Sequence, residues 1–264
     1  MTASLRFWGA SLLSLLVAMG PGATHAGTRS TDLEVLRADL EALKAGQAAM
    51  QRDLQEIKSL LLAKPAARPA EAQERFVAVA GAPFLGEREA ALTLIEFTDF
   101  QCPYCSRHAR DTVPRIDREF VKTGKLKYVV RDFPIKSLHP EAYRAHEAVH
   151  CAGDQGRYWE MRSRIFAGPK SLSTDTLAGH ARELGLDVSS FQSCLDSGRH
   201  AARVERDVAE GSKAGVNGTP SFFLARTSPN EGEVRILRAI VGAQPFSAFK
   251  DAIDGLLTRP AEVK

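Results

Sequence analysis

The chain has 264 residues, enough for one large or two small domains, with 44% hydrophobic and 25% charged residues, an ordinary balance for a globular protein. A net charge of +3 without any polybasic block gives no footing for nucleic acid or an anionic membrane surface as partner. Four cysteines, an even number, fit one catalytic pair and one structural pair.

Residues 1–26 read as a secretory signal. Arg6 is their only charge, and the apolar run 7–19 is too short to span a bilayer. Gly20 and Pro21 break that run, and Thr24-His25-Ala26 sets small residues at the positions that govern cleavage. An uncleaved anchor is the alternative. Export to the periplasm, an oxidising compartment, is the expectation.

Residues 27–63 are expected to form a coiled-coil helix, with an unbroken heptad over 31–62. Leu33, Leu40, Gln47, Leu54 and Leu61 fall on one seam position, and Leu36, Leu43, Met50 and Ile57 on the other. Asp32, Asp39 and Asp53 flank one side of the seam, and Arg37, Lys44 and Lys58 the other. Parallel, in-register helices would pair these charges between chains, so a parallel homo-oligomer is expected. An amphipathic helix folded back on its own domain is the competing reading. Gly46 and Gln47 weaken the middle of the seam. Residues 64–74, with Pro65 and Pro69, read as an extended linker to a catalytic domain over 75–264.

Short strands are expected at 76–79, 92–97 and 126–131, with a helix from the second of them to about Thr123, closed by Gly124. Residues 134–214 are mostly helical by pattern, two strands follow at 222–224 and 234–241, and a helix over 246–257 closes the chain. The β-α-β start and the later strands give an α/β class, a thioredoxin fold with a helical block inserted.

The strand at 92–97 runs into Cys102-Pro103-Tyr104-Cys105, and the apolar positions Ala109, Val113, Ile116 and Phe120 then take up helical spacing. Cys102 therefore sits where a strand hands over to a helix. Unpaired amides and the positive end of the helix dipole favour a thiolate there. Cys102, at the exposed end, is the expected nucleophile, and Cys105, one turn further in, the resolving thiol. Half a zinc site and a static bridge are the rival readings. Cys151 and Cys194 are isolated and complete no second CxxC, so neither a metal nor a cofactor is expected.

At this point the chain resembles the DsbA-like family of exported thiol-disulfide oxidoreductases. The resemblance rests on the stretch from Glu96 through Phe100-Gln101-Cys102-Pro103-Tyr104-Cys105 and on Gly218-Thr219-Pro220-Ser221-Phe222. Two further stretches support it, Cys151 to Trp159 and Phe191-Gln192-Ser193-Cys194-Leu195. It implies that Pro220 is cis and exposes the Thr219 backbone opposite Cys102, where Thr219, Pro220, Pro103 and Tyr104 dock an extended substrate. It also implies that Glu96 is a buried acid serving Cys105, with burial raising its pKa; by alternation alone, Glu96 can instead point outward from an edge strand. Asp99 reads as a loop or cap residue, and His108 as a surface or packing residue. Relatives with cysteines at both supporting motifs bridge them, which implies a structural Cys151–Cys194 disulfide. Tyr104 stands where the strongest oxidants of the family carry histidine, so a less oxidising, isomerase-like couple is expected. The implied partners are cysteine-containing envelope proteins as substrates and a membrane redox partner that resets the couple. A non-catalytic coiled-coil chaperone and a metal-handling thiol protein are the readings from other classes.

Overall fold

The computed structural model describes residues 26–62, 74–168, 171–228 and 232–258. All but Ala26 of the expected signal, and all but Glu74 of the expected linker, lie outside those residues. The chain divides into two compact units, Met1–Glu71 and Ala72–Lys264.

Within the first unit, α1 (Ala26–Leu62) is one helix of 37 residues. Leu33, Leu36, Leu40, Leu43, Met50, Leu54 and Ile57 are each more than half exposed in the single chain. A row of that many exposed aliphatic side chains is unusual on a helix that stays alone in water. No helix among the described residues is long and apolar enough to cross a membrane.

The second unit is built on β1 (Phe76–Ala78), β2 (Phe84–Leu85), β3 (Leu92–Thr98), β4 (Leu126–Asp132), β5 (Ser221–Arg226) and β6 (Glu233–Val241), which form one sheet in the order β1-β6-β5-β3-β4-β2. Only β3 and β4 run parallel; the other neighbours are antiparallel. Every residue of β3 and β4 is buried, because helices cover both faces of the sheet centre. Side chains alternate between those faces. Leu92 and Leu94 meet Ile116, Phe120, Tyr128, Phe222 and Phe249 on one side. Ile95 and Phe97 meet Val129, Phe133 and Phe223 on the other. Glu96, two residues after Leu94, therefore enters the first of these layers.

The helix after Cys102 is not the single element its spacing suggests. It divides into α2 (Pro103–Asp111), α3 (Val113–Ile116) and a π-helical turn over Asp117–Val121. Pro114 has no N–H to return to the Arg110 carbonyl, so the regular helix stops there. Gly124, at a φ of 71°, then turns the chain into β4.

Between β4 and β5 lie α4 (Ala142–Gly153), α5 (Tyr158–Ala167), α6 (Thr174–Glu183), α7 (Val188–Asp196) and α8 (Ala201–Lys213). Their shared core includes Val149, Met161, Leu177, Phe191 and Leu195. The chain closes with α9 (Phe246–Leu257), whose Phe246, Phe249 and Ile253 pack under the sheet. A thioredoxin-like sheet with a helical insertion, the expected fold class, is thus what the chain adopts.

Buried charges tie the insertion to β4. The Asp132 carboxylate meets His146 Nδ1 at 2.7 Å and His150 Nε2 at 2.6 Å, both from α4. Burial alone would raise the Asp132 pKa, but the two imidazoles hold it well below the usual carboxylate range. Asp207 of α8 accepts from the Asp132 backbone N–H at 3.0 Å and pairs with Arg131 at 2.8 Å.

Gly211 lets α8 approach the sheet. A Cβ there would stand 2.8 Å from ring carbons of both Phe97 and Phe133, two buried side chains with no room to retreat. Alanine normally favours a helix over glycine by about 1 kcal/mol. Gly211→Ala is nevertheless expected to destabilise the fold by about 1–3 kcal/mol through overpacking. The thermal midpoint would drop by several degrees at about 2–4 °C per kcal/mol. An unchanged or raised midpoint in calorimetry would contradict this packing.

Candidate active site

β3 ends at Thr98, and four residues, Asp99 to Cys102, carry the chain to α2. Asp99 fixes that loop. Its Oδ1 accepts from the Gln101 N–H at 2.8 Å, and its Oδ2 from the Ile135 N–H and His139 Nδ1, each at 2.8 Å. Asp99 is thus a loop residue, fully buried. Cys102 is the N-cap of α2, with Pro103 at the first helical position. Proline there gives up no hydrogen bond, because the first amides of a helix have no intrahelical acceptor.

The Cys102 sulfur lies 3.3 Å from the Thr219 carbonyl oxygen, and Thr219–Pro220 is a cis peptide. That carbonyl covers the thiol. Cys102 is only 4% exposed, so the expectation of an open sulfur at the helix end is corrected. Tyr104 is instead the exposed member, at 56%, with the Arg107 guanidinium over its ring.

Cys102 and Cys105 are free thiols set to opposite acidities. A hydrogen bond from the Cys105 thiol is the largest influence on Cys102, burial opposes it, and the Thr219 side chain and the amides of Tyr104 and Cys105 add to it. Together they bring the Cys102 pKa down to about 6. Cys105 is pushed well above the ordinary thiol range, first by burial, then by Cys102 and the charge of Glu96. The pair thus holds one thiolate and one thiol at neutral pH.

Behind Cys105 lies a buried chain of polar groups. Glu96 Oε2 accepts from the Tyr128 hydroxyl at 2.7 Å and from Arg162 Nη2 at 2.6 Å. His108 Nε2 lies 3.2 Å from the Tyr128 hydroxyl. Glu96 Oε1 has no hydrogen-bond partner among the described residues. Burial acts to raise the Glu96 pKa, but the Arg162 guanidinium, followed by His108 and the Tyr128 hydroxyl, brings it below the usual value. The expectation of a raised carboxyl is therefore corrected: Glu96 is an ionised partner of a buried cation. Burial lowers the His108 pKa to about 4 against the pull of Glu96, so its imidazole is neutral at neutral pH.

Arg162, Tyr128 and His108 in this network were not foreseen from the sequence. Arg162 did leave a trace. It lies on the face of α5 that buries Tyr158, Met161 and Ile165, where a lone cation needs a partner. Tyr128 and His108 gave no comparable signal, since only strand register and helix packing bring them to Glu96.

The structure thus gathers Cys102, Cys105, Glu96 and Thr219-Pro220, with Pro103 and Tyr104 on the exposed side of α2. Cys151 and Cys194 stand apart in the helical core, joined as a disulfide between α4 and α7.

A family model described as thioredoxin matches residues 79–233. The Na(+)/H(+) antiporter NhaA 1 of Salinispora arenicola is 39% identical over 139 residues, covering 53% of this chain and 21% of that protein. The chain therefore spans about a fifth of that relative's length. A thioredoxin-like oxidoreductase from Silicibacter pomeroyi superposes with a TM-score of 0.57 at 27% identity, covering 68% of this chain and 94% of that one. The α-DsbA1 of Wolbachia pipientis superposes with a TM-score of 0.58 at 22% identity, covering 68% and 92%, a likeness of fold.

Alkylation of the reduced protein with iodoacetamide should titrate with a midpoint near pH 6, slowing as pH falls below it. An ordinary thiol has its midpoint near about 8.5. The folded value is the lower of the two. Cys102 ionisation therefore stabilises the reduced fold fully only above about pH 8.5. That contribution is lost as pH falls through about 6. A midpoint at the ordinary value would overturn the assigned acidity.

Proposed function

Because this chain belongs to the thioredoxin family, we propose that it is a thiol-disulfide oxidoreductase acting on cysteine-containing proteins of the cell envelope, after export to the periplasm. One observation carries the reading. An acidic Cys102 thiol lies 3.3 Å from the Thr219 carbonyl, with the high-pKa thiol of Cys105 one turn behind it. A static bridge needs neither the split in acidity nor a main-chain carbonyl set against its first sulfur.

In the reductive direction, the Cys102 thiolate attacks one sulfur of a substrate disulfide. A Cys102–substrate bond forms, the substrate bond breaks, and the departing substrate thiolate takes a proton from solvent. Thr219 and Pro220 hold the substrate backbone alongside, with Pro103 and Tyr104 at its edge. Cys105 then attacks Cys102 Sγ. The Cys105 proton passes to Glu96 Oε1, the carboxylate oxygen that Tyr128 and Arg162 leave open. The second substrate thiolate leaves, and Cys102–Cys105 closes as a disulfide. Two electrons have moved to the substrate; oxidation is the reverse. If a thiol of the substrate resolves the mixed disulfide, the substrate is isomerised with no net electron transfer.

The absence of histidine between the cysteines, and the linking of several active sites, favour isomerisation or reduction over simple oxidation. The linking element is α1, whose exposed aliphatic seam and side-segregated charges suit parallel self-association. A membrane redox partner then restores the working state of the couple.

Insulin reduction and refolding of scrambled ribonuclease test the chemistry. Cys102→Ala should bring both to the uncatalysed rate, and Cys105→Ala should accumulate a mixed disulfide with the substrate. Equal activity of wild type and Cys102→Ala would remove the enzyme reading.

Light scattering tests the linkage. The processed chain should have the mass of an oligomer, and a fragment starting at Arg75 that of one chain. Equal subunit numbers would remove the role assigned to α1.

A further inference from the structure

Outside the active site, one cluster combines metal-binding chemistry with access. Cys151 lies in the last turn of α4, Cys194 in α7, and His200 precedes α8. One ligating atom from each of the three lies within 4.8 Å of the others. Asp154 completes the group, its Oδ2 standing 3.0 Å from His200 Nε2 and 3.7 Å from Cys194 Sγ. Tetrahedral zinc, with bonds of about 2.0–2.3 Å, sets its ligand atoms about 3.3–3.8 Å apart. The separations of Asp154 from His200 and from Cys194 are thus near the spacing of a shared ion, with the imidazole and sulfurs within 4.8 Å of one another. The bond between the two sulfurs keeps them from serving as two separate ligands.

We propose that reduction of the Cys151–Cys194 disulfide converts this cluster into a zinc site with Cys151, Cys194, His200 and Asp154 as its four ligands. A dithiol supplies two electrons and two protons and itself becomes a disulfide. The cluster then holds two thiols. Zinc displaces their two protons on binding, and the sulfurs separate to the spacing of two metal-bound thiolates. Two thiolates and a carboxylate exceed the charge of the ion by one. Arg199, 3.1 Å from Asp154 Oδ2, balances it.

The surroundings allow entry and fix the donors. A cavity of about 450 Å³, lined by Cys151, Asp154, Gln155, Ser190, Cys194 and Arg199, opens beside the disulfide, whose two cysteines are 1–2% exposed. His150, whose ring lies 5.4 Å from that of His200, is committed through Nε2 to Asp132 and is not a ligand. Sequence spacing hides the site, since its four ligands come from two separated stretches, 151–154 and 194–200, brought together by helix packing.

The inference does not depend on the oxidoreductase reading, and the test keeps the two apart by using the full chain with Cys102→Ser and Cys105→Ser. This protein is reduced with a phosphine, freed of reductant without air and titrated with zinc against a chromophoric chelator. About one zinc per reduced chain is expected, and none per oxidised chain. Cobalt in place of zinc should give sulfur-to-metal charge-transfer absorption. His200→Ala and Asp154→Asn should each weaken binding by about tenfold or more. Zinc should also raise the melting temperature of the reduced protein and leave that of the oxidised protein unchanged. Equal zinc uptake by the reduced and oxidised forms would overturn the proposal, as would full-affinity binding by both variants. If the reduced chain unfolds, zinc must restore its circular dichroism; failure to do so overturns the proposal equally.

Discussion

A carboxylate and a guanidinium buried together beneath two sulfurs are the constraint on which the rest of the structure depends. Glu96 comes from the central strand β3 and Arg162 from α5 of the insertion, so their 2.6 Å contact spans the two parts of the catalytic unit. Either ion alone would carry a desolvation cost of several kcal/mol at that depth. Each therefore fixes the position of the other. With the Tyr128 hydroxyl on the same oxygen, Glu96 keeps a full negative charge in a site where a lone carboxyl would be protonated. That charge acts on the thiols unequally. It raises Cys105, which is buried close to it, while Cys102 takes its hydrogen bonds from the first turn of α2.

The insertion thereby helps set the chemistry at the C-terminal end of β3. Asp132, at the end of β4, repeats the arrangement with His146 and His150, while Asp207 and Arg131 pair beside it. These contacts add less net stability than their number suggests, because paired charges in a core largely offset their own desolvation. Their consequence is geometric. A slip of α4, α5 or α8 would strand a buried charge, so one alignment of helices on sheet is strongly preferred. Apolar contacts such as Phe97 against Gly211 supply the bulk of the attraction without that selectivity.

The helix α1 follows different physics. Its aliphatic side chains at the seam from Leu33 to Ile57 lie exposed, and its heptad sorts the flanking charges by side. Packed against a copy of itself, as proposed above, such a seam would gain about 25 cal/mol per Å² of aliphatic surface buried. The purpose of the seam, on that reading, is to bring several acidic thiols to one substrate.

The sequence by itself determined what local periodicity can determine. The apolar run before Cys102 and the 3-4 pattern of α1 each belong to one stretch of chain, and each became the expected strand or helix; the helical spacing after Cys102 did so only up to the break at Pro114. The thioredoxin-like order of elements followed from them. Tertiary structure alone decided the rest. The acidity of Glu96 depends on Arg162, 66 residues away, and its sign reversed once that cation was in place. Coverage of Cys102 depends on a carbonyl 117 residues further along. The physical reason is the same throughout. Burial and periodicity are properties of neighbours along the chain, whereas a charge in a core takes its energy from whichever partner the fold brings within hydrogen-bond distance.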